Sequence, residues 1–242
     1  MGTKVTPYED DNASKKEQVA EMFDNISGKY DFLNHFLSAG IDKRWRKKAI
    51  KMLEPHGPKE ILDLATGTAD FAIAALKLNP NHITGVDISE GMLAQGRLKL
   101  TKKKFDDKIT LQYGDSENLP FEDNTFDALT VGFGVRNYEH LENGLAEMLR
   151  VLKPNGVVVI LEFSKPKNFP AKQFFSFYNN RLLPLIGKTV SKDPRAYTYL
   201  PESIAAFPEG EEFIGILKKV GYLRCEQKKV SGGVASIYIG QK

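Results

Sequence analysis

Five short apolar runs punctuate residues 60–163: EILDLA from Glu60, HITGVDI from His82, ITLQYG from Ile109, FDALTVGFG from Phe126 and GVVVILEF from Gly156. Helix-forming stretches near 69–79, 90–104 and 140–152 lie between them. Strands that alternate with helices predict a parallel sheet with right-handed crossovers. Two more candidate strands, YLRCEQKKV and VASIYIG, follow a helix near 209–219. Gly232-Gly233 between them marks a hairpin, so the last pair should run antiparallel. The pattern predicts an α/β chain whose seven-stranded sheet is mostly parallel and closes on that hairpin.

A length of 242 residues suits one large domain, and 41% hydrophobic residues suffice for its core. Residues 1–14 are polar and are expected to form a disordered tail. Helical stretches at about 15–37 and 41–54 precede the first strand as a cap, before Pro55, Gly57 and Pro58 break the chain. Residues 165–208, rich in Pro, Tyr and Phe, interrupt the alternation as an insertion. A net charge of +3 is too small to imply nucleic-acid binding. No apolar run approaches the roughly 20 residues of a spanning helix, and the start lacks the apolar stretch of a secretory signal. The lone Cys225 excludes an internal disulfide, and His35, His56, His82 and His140 are scattered without ligand spacing. The expectation is a cytoplasmic protein that needs no metal.

Chemistry concentrates where strands end. ILDLATGTAD, from Ile61 to Asp70, is a strand that bends at Gly67 and enters a helix, the arrangement that cradles nucleotides in open α/β sheets. The full G-x-G-x-x-G is missing, because Ala65 and Ala69 stand where more glycines would be expected. Asp87 ends the second strand, 20 residues after Gly67, and could accept hydrogen bonds from both hydroxyls of a ribose; it or Ser89 could equally cap the next helix. Asp115 follows the third strand and could accept from an adenine amino group, with the Ser116 N–H on a ring nitrogen. A nicotinamide dinucleotide needs glycines so that backbone can approach its pyrophosphate. S-adenosylmethionine has no phosphate, and a closing antiparallel hairpin suits a methyltransferase sheet better.

The sheet and its turns resemble class I S-adenosylmethionine-dependent methyltransferases, which have a Rossmann-like fold. YDFLNHFLSAGIDKRW at 30–45, GFGVRN at 132–137 and RVLKPNGVVVILEFS at 150–164 resemble one family among them, the quinone-biosynthesis C-methyltransferases acting on demethylmenaquinol and polyprenyl-methoxybenzoquinol. The chain departs from the family pattern at Leu33 (usually Met), Asp42 (usually His) and Asn155 (usually Gly). The resemblance runs from about residue 20 to the end. It implies cofactor contacts at Thr68, Asp87, Asp115 and Ser116, with Asp63 supporting the turn or the cofactor's amino group. Gly132 falls where some members have a serine.

The implied reaction is C-methylation of a prenylated quinol, which needs an electron-rich ring carbon in line with the sulfonium methyl. Ionisation of a hydroxyl whose pKa is near 10 is helped by a cation or a base. Arg136 is the candidate cation; its alternative is an ion pair with Glu139 or Glu162. Tyr30 and Tyr178 could hydrogen-bond the ring oxygens or line the core. The insertion, with Phe174, Phe175, Phe177, Leu182 and Leu183, would cover the acceptor or form a packed subdomain. KRWRKK at 43–48 would meet anionic headgroups at the inner face of a membrane, or be a solvated helix face. Open alternatives are another lipophilic phenolic or sterol-like acceptor, and a cofactor-binding assembly subunit without catalysis. Tail length, quinol type and homo-oligomer formation are left open.

Overall fold

The computed structural model describes residues 5–8, 10, 12–30, 40–177 and 193–242. Its centre is one seven-stranded sheet in the order β3-β2-β1-β4-β5-β7-β6. The strands are β1 (Glu60–Leu64), β2 (His82–Asp87), β3 (Ile109–Tyr113), β4 (Phe126–Gly132), β5 (Leu152–Phe163), β6 (Leu223–Val230) and β7 (Ala235–Gln241). Strands β1 to β5 pair in parallel, and β7 pairs antiparallel with both β5 and β6. The expected mostly parallel sheet with its antiparallel closing hairpin is therefore present. Strand β5 starts four residues before the expected Gly156, because Leu152 already pairs with Phe126 across a register shift.

Alternate residues of the central strands feed two separate cores. Ile61, Val157, Val159 and Leu161 face one side, together with Trp45, Ala49, Ile50 and Leu53 of α2 (Ile41–Leu53). Leu62, Leu64, Val158 and Ile160 face the other, against α5 (Leu141–Val151) and α8 (Glu211–Val220). Burial on both faces explains why these strands read as unbroken apolar runs.

The N-terminal cap begins with α1 (Lys15–Ile26), started by a reciprocal capping box between Ser14 and Glu17. It gives way to a short 3-10 turn at Ser27–Lys29 rather than running to 37 in one piece. Residues 31–39 lie outside those described. In the stretch read as a tail, the Tyr8 hydroxyl bonds Asp193, and Arg195 Nε donates to Pro7 O at 2.6 Å. The insertion contributes α6 (Ala171–Phe177) and α7 (Arg195–Ala206). The helices between strands are α3 (Asp70–Ala75), continued by a 3-10 turn, and α4 (Glu90–Lys103).

Because β1 pairs with β2 on one side and β4 on the other, its carboxyl end is the point where the chain's winding reverses. Open α/β sheets bind ligands there. Gly85 of β2 packs beneath it: a Cβ would lie 2.5 Å from Leu111 Cδ2 and 2.9 Å from Thr66 Oγ1. Gly85→Ala should therefore destabilise the protein by about 1–3 kcal/mol. Urea unfolding checks this through a lowered midpoint at unchanged slope.

Candidate active site

The turn after β1 is held by two buried carboxylates. Three residues in five, Ala65 (φ 49°), Gly67 (φ 55°) and Ala69 (φ 68°), adopt left-handed backbone. The two alanines thus do what glycines would do more cheaply, since a Cβ in this region costs roughly 1–2 kcal/mol. Asp63 lies directly beneath and is fully buried. It accepts from Thr66 Oγ1 at 2.6 Å, Thr130 Oγ1 at 2.5 Å and the Ala72 N–H at 3.2 Å. Asp87 reaches across from β2 and accepts from the Gly67 N–H at 2.7 Å and the Ser89 N–H at 2.9 Å. Burial pushes both carboxyls up to about 6, against the pull of those donors.

A second layer of charge ties the turn to its helices. Arg46 of α2 pairs with Asp42 and, at 3.1 Å, with Asp70. Lys99 of α4 donates to Asp70 at 3.0 Å and to Thr68 Oγ1 at 2.8 Å. No motif in the sequence signals this network, because its members stand on three elements that only the fold brings together.

Two spaces open at this sheet edge. A narrow crevice of about 60 Å³ is lined by Asp87, Asp115, Ser116, Tyr138 and the α1 residues Lys16, Val19 and Phe23. Lys16 pairs with Asp115, whose other oxygen accepts from the Glu117 N–H at 2.9 Å. Inside the crevice wall the buried Tyr138 hydroxyl has no partner among the described residues. A larger cavity of about 700 Å³ lies beside it, lined by Trp45, Phe71, Phe163, Phe175, Tyr197 and Leu200 among others. Thr68 and Arg136 face this cavity, while Tyr30 and Gly132 line both spaces. A Cβ at Gly132 would come within 2.9 Å of Phe71 Cδ1, so a serine there would require that ring to move. Asp63 lines neither space. Tyr178, Leu182 and Leu183 lie outside the described residues, as does the side chain of Phe174.

Arg136 is 7% exposed and pairs with the fully buried Glu162 at 3.0 Å. Burial raises the Glu162 carboxyl, and Arg136 counteracts it. The guanidinium also donates from Nε to Ser203 Oγ at 3.3 Å and from Nη1 to the Phe133 carbonyl. Among the described residues, nothing accepts from Nη2. The ion pair with Glu162 and a position on the cavity wall therefore coexist in one side chain, which the sequence posed as alternatives.

The crevice fits a nucleoside by its donor set. Asp87 uses two of its roughly four acceptor sites on backbone, leaving capacity for ribose hydroxyls, and the orphaned Tyr138 hydroxyl is a polar group awaiting a partner. It is tighter than a usual small-molecule pocket of about 300–1,000 Å³, because α1 forms its outer wall.

The profile of the ubiE/COQ5 methyltransferase family matches residues 11–242. A demethylmenaquinone methyltransferase of Bacteroides fragilis is 48% identical over 240 residues, 99% of this chain and 98% of that protein. The ubiquinone/menaquinone biosynthesis C-methyltransferase UbiE of Geobacter sulfurreducens is 43% identical over 99% of this chain and 93% of its own length. Among solved structures, a SAM-dependent methyltransferase from Aquifex aeolicus superposes with a TM-score of 0.57 at 19% identity, covering 80% of this chain and 88% of that one. At that identity the likeness concerns the fold alone.

The raised carboxyls give a signed stability prediction. A folded-state value near 6 against an unfolded value of 3.8 means that the folded protein takes up the proton first. Asp87 then costs stability above pH 6, and the cost is relieved as pH falls from about 6 toward 4. Asp87→Asn removes this titration. Chemical unfolding at pH 7 should find the asparagine variant more stable than its parent, and the gap should narrow by pH 4.5.

Proposed function

The chain belongs to the ubiE/COQ5 methyltransferase family, and from that membership and the two adjoining spaces we propose that it methylates demethylmenaquinol on a ring carbon, using S-adenosylmethionine. The polyprenyl-methoxybenzoquinol precursor of ubiquinone is a second acceptor of the same chemistry. When bound, the cofactor supplies an electrophilic methyl group on a cationic sulfur. Asp87 takes the ribose hydroxyls, and Asp115 and the Ser116 N–H take the adenine edge in place of the Lys16 contact. Thr68, fixed by Lys99, and the turn that Asp63 supports hold the amino acid end. The larger cavity takes the quinol, with its aromatic walls around the ring.

Arg136 carries the chemistry of the acceptor. Its Nη2 is the donor left for a quinol oxygen once Glu162, Ser203 and Phe133 have oriented the rest. Hydrogen-bonding to an ionised hydroxyl lowers its pKa and enriches the adjacent carbon. A donor held in the crevice would supply its methyl group to that carbon while its sulfur kept the electron pair of the broken bond, and the ring proton would then pass to water. No covalent enzyme intermediate is needed, so positioning and water exclusion dominate. Tyr30 and Tyr178 are candidates for the remaining ring oxygen.

We also propose contact with the cytoplasmic face of a membrane, where a prenylated acceptor resides. No helix among the described residues is long and apolar enough to cross one. Phe169 and Phe177, 81% and 61% exposed, flank the cavity residues Pro170, Ala171 and Phe175. Lys43, Arg44, Lys47, Lys48 and Lys51 form the solvent face of α2, suited to anionic headgroups.

Methyl incorporation with a short-tailed demethylmenaquinol, assayed with and without reductant, tests the reaction. The reduced ring should turn over and the oxidised ring should not; equal rates would reject the mechanism. Arg136→Ala should lower kcat about 10²–10³-fold with little effect on cofactor affinity, as expected where charge develops in the transition state. An unchanged rate would remove Arg136 from its role.

A further inference from the structure

Where the crevice meets the larger cavity, its boundary is aromatic. Six residues line both spaces: Phe23, Tyr30, Ala65, Gly67, Gly132 and Phe133. Three of them carry rings, and the other three are alanine or glycine. The passage is thus bounded by ring surface and bare backbone, with no charged side chain among the six.

The rings come from separate parts of the chain, and each is held. Phe23 lies on α1, next to Asp24. That carboxylate accepts from Ser89 Oγ at 2.6 Å and from the Gly91 N–H at 2.8 Å, clamping α1 onto the start of α4. Tyr30 follows the 3-10 turn, and its ring meets Phe23 edge-on with centroids 5.9 Å apart. Phe133 leaves β4 with φ 60°, a backbone conformation rare for a bulky side chain. Its N–H donates to Leu161 O at 2.7 Å, its carbonyl accepts from Arg136, and its ring stacks on Phe163 at 4.5 Å. Backbone strain persists where surroundings over-determine it, and it gathers at functional sites. Here its effect is to turn an aromatic ring into the passage.

A methyl group handed from the crevice to the cavity must cross this boundary. Until transfer the donor sulfur carries a full positive charge; afterwards it is a neutral thioether. Aromatic faces attract desolvated cations and have no such attraction for the neutral product. Among the described residues, Arg136 makes its cation–π contact with a different ring, Phe163. We propose that Phe23, Tyr30 and Phe133 form an aromatic collar that binds the sulfonium of S-adenosylmethionine and discriminates against S-adenosylhomocysteine. Attraction to a charge that disappears during transfer does not speed the chemical step. The collar instead favours replacement of spent product by fresh donor.

Calorimetric affinities for the donor and for S-adenosylhomocysteine, taken without acceptor, test the collar independently of turnover. Phe133→Leu and Phe23→Leu should each weaken donor binding by about threefold to tenfold, with product binding changed less than about twofold. Tyr30→Phe keeps the ring and should leave the ratio of the two affinities unchanged. Pentafluorophenylalanine at position 133 preserves shape while reversing the charge distribution of the ring, so it should lower the same ratio even if the leucine variant folds poorly. Equal losses for both ligands would assign these rings to packing and overturn the proposal, as would an unchanged ratio with the fluorinated ring.

Discussion

Everything at this site depends on two carboxylates buried under one turn. Asp63 and Asp87 place their oxygens on Thr66, Thr130, Ala72, Gly67 and Ser89, fixing a loop that uses left-handed backbone at two alanines. Burying an ionised carboxylate is expensive unless hydrogen bonds compensate. The elevation of both groups toward 6 indicates that compensation is incomplete. The folded protein carries that cost to hold a pre-shaped acceptor set at the sheet edge.

The sheet topology turns this local arrangement into a reaction geometry. Reversal of winding at β1 sets the ends of β1, β2 and β4 side by side. Asp87 then faces the crevice while Arg136, beyond β4, faces the cavity. Arg136 links the halves mechanically as well: it holds the Phe133 carbonyl at the boundary and pairs with Glu162 of β5. A guanidinium so constrained cannot swing away to another partner, which is the preorganisation that the proposed electrostatic role requires. Its buried counter-charge keeps the site close to neutral before an anionic acceptor arrives.

Much of this was legible in sequence because it is local. Strand texture, the glycine hairpin and the spacing from Gly67 to Asp87 each report backbone demands that neighbouring residues reveal. Ala65 and Ala69 were informative in an unexpected direction, since they bend as glycines would despite their Cβ. The roles of Lys16 and Lys99 depend on partners 99 and 31 residues away in the chain, and no periodicity encodes such encounters. Asp63 was read as a support for the turn or for the cofactor's amino group, and its bonds to Thr66 and Ala72 belong to the turn. Phe23 and Phe133 carry no signal in the sequence, because only the fold opens a passage between them.

The central claim is that this geometry delivers a methyl group to carbon. Locating the label after reaction of demethylmenaquinol with methyl-deuterated S-adenosylmethionine tests it most directly. The account predicts a trideuteromethyl group bonded to the ring carbon beside a hydroxyl, visible by mass spectrometry and by loss of the ring-proton resonance. Label on a quinol oxygen, with the ring proton retained, would contradict it.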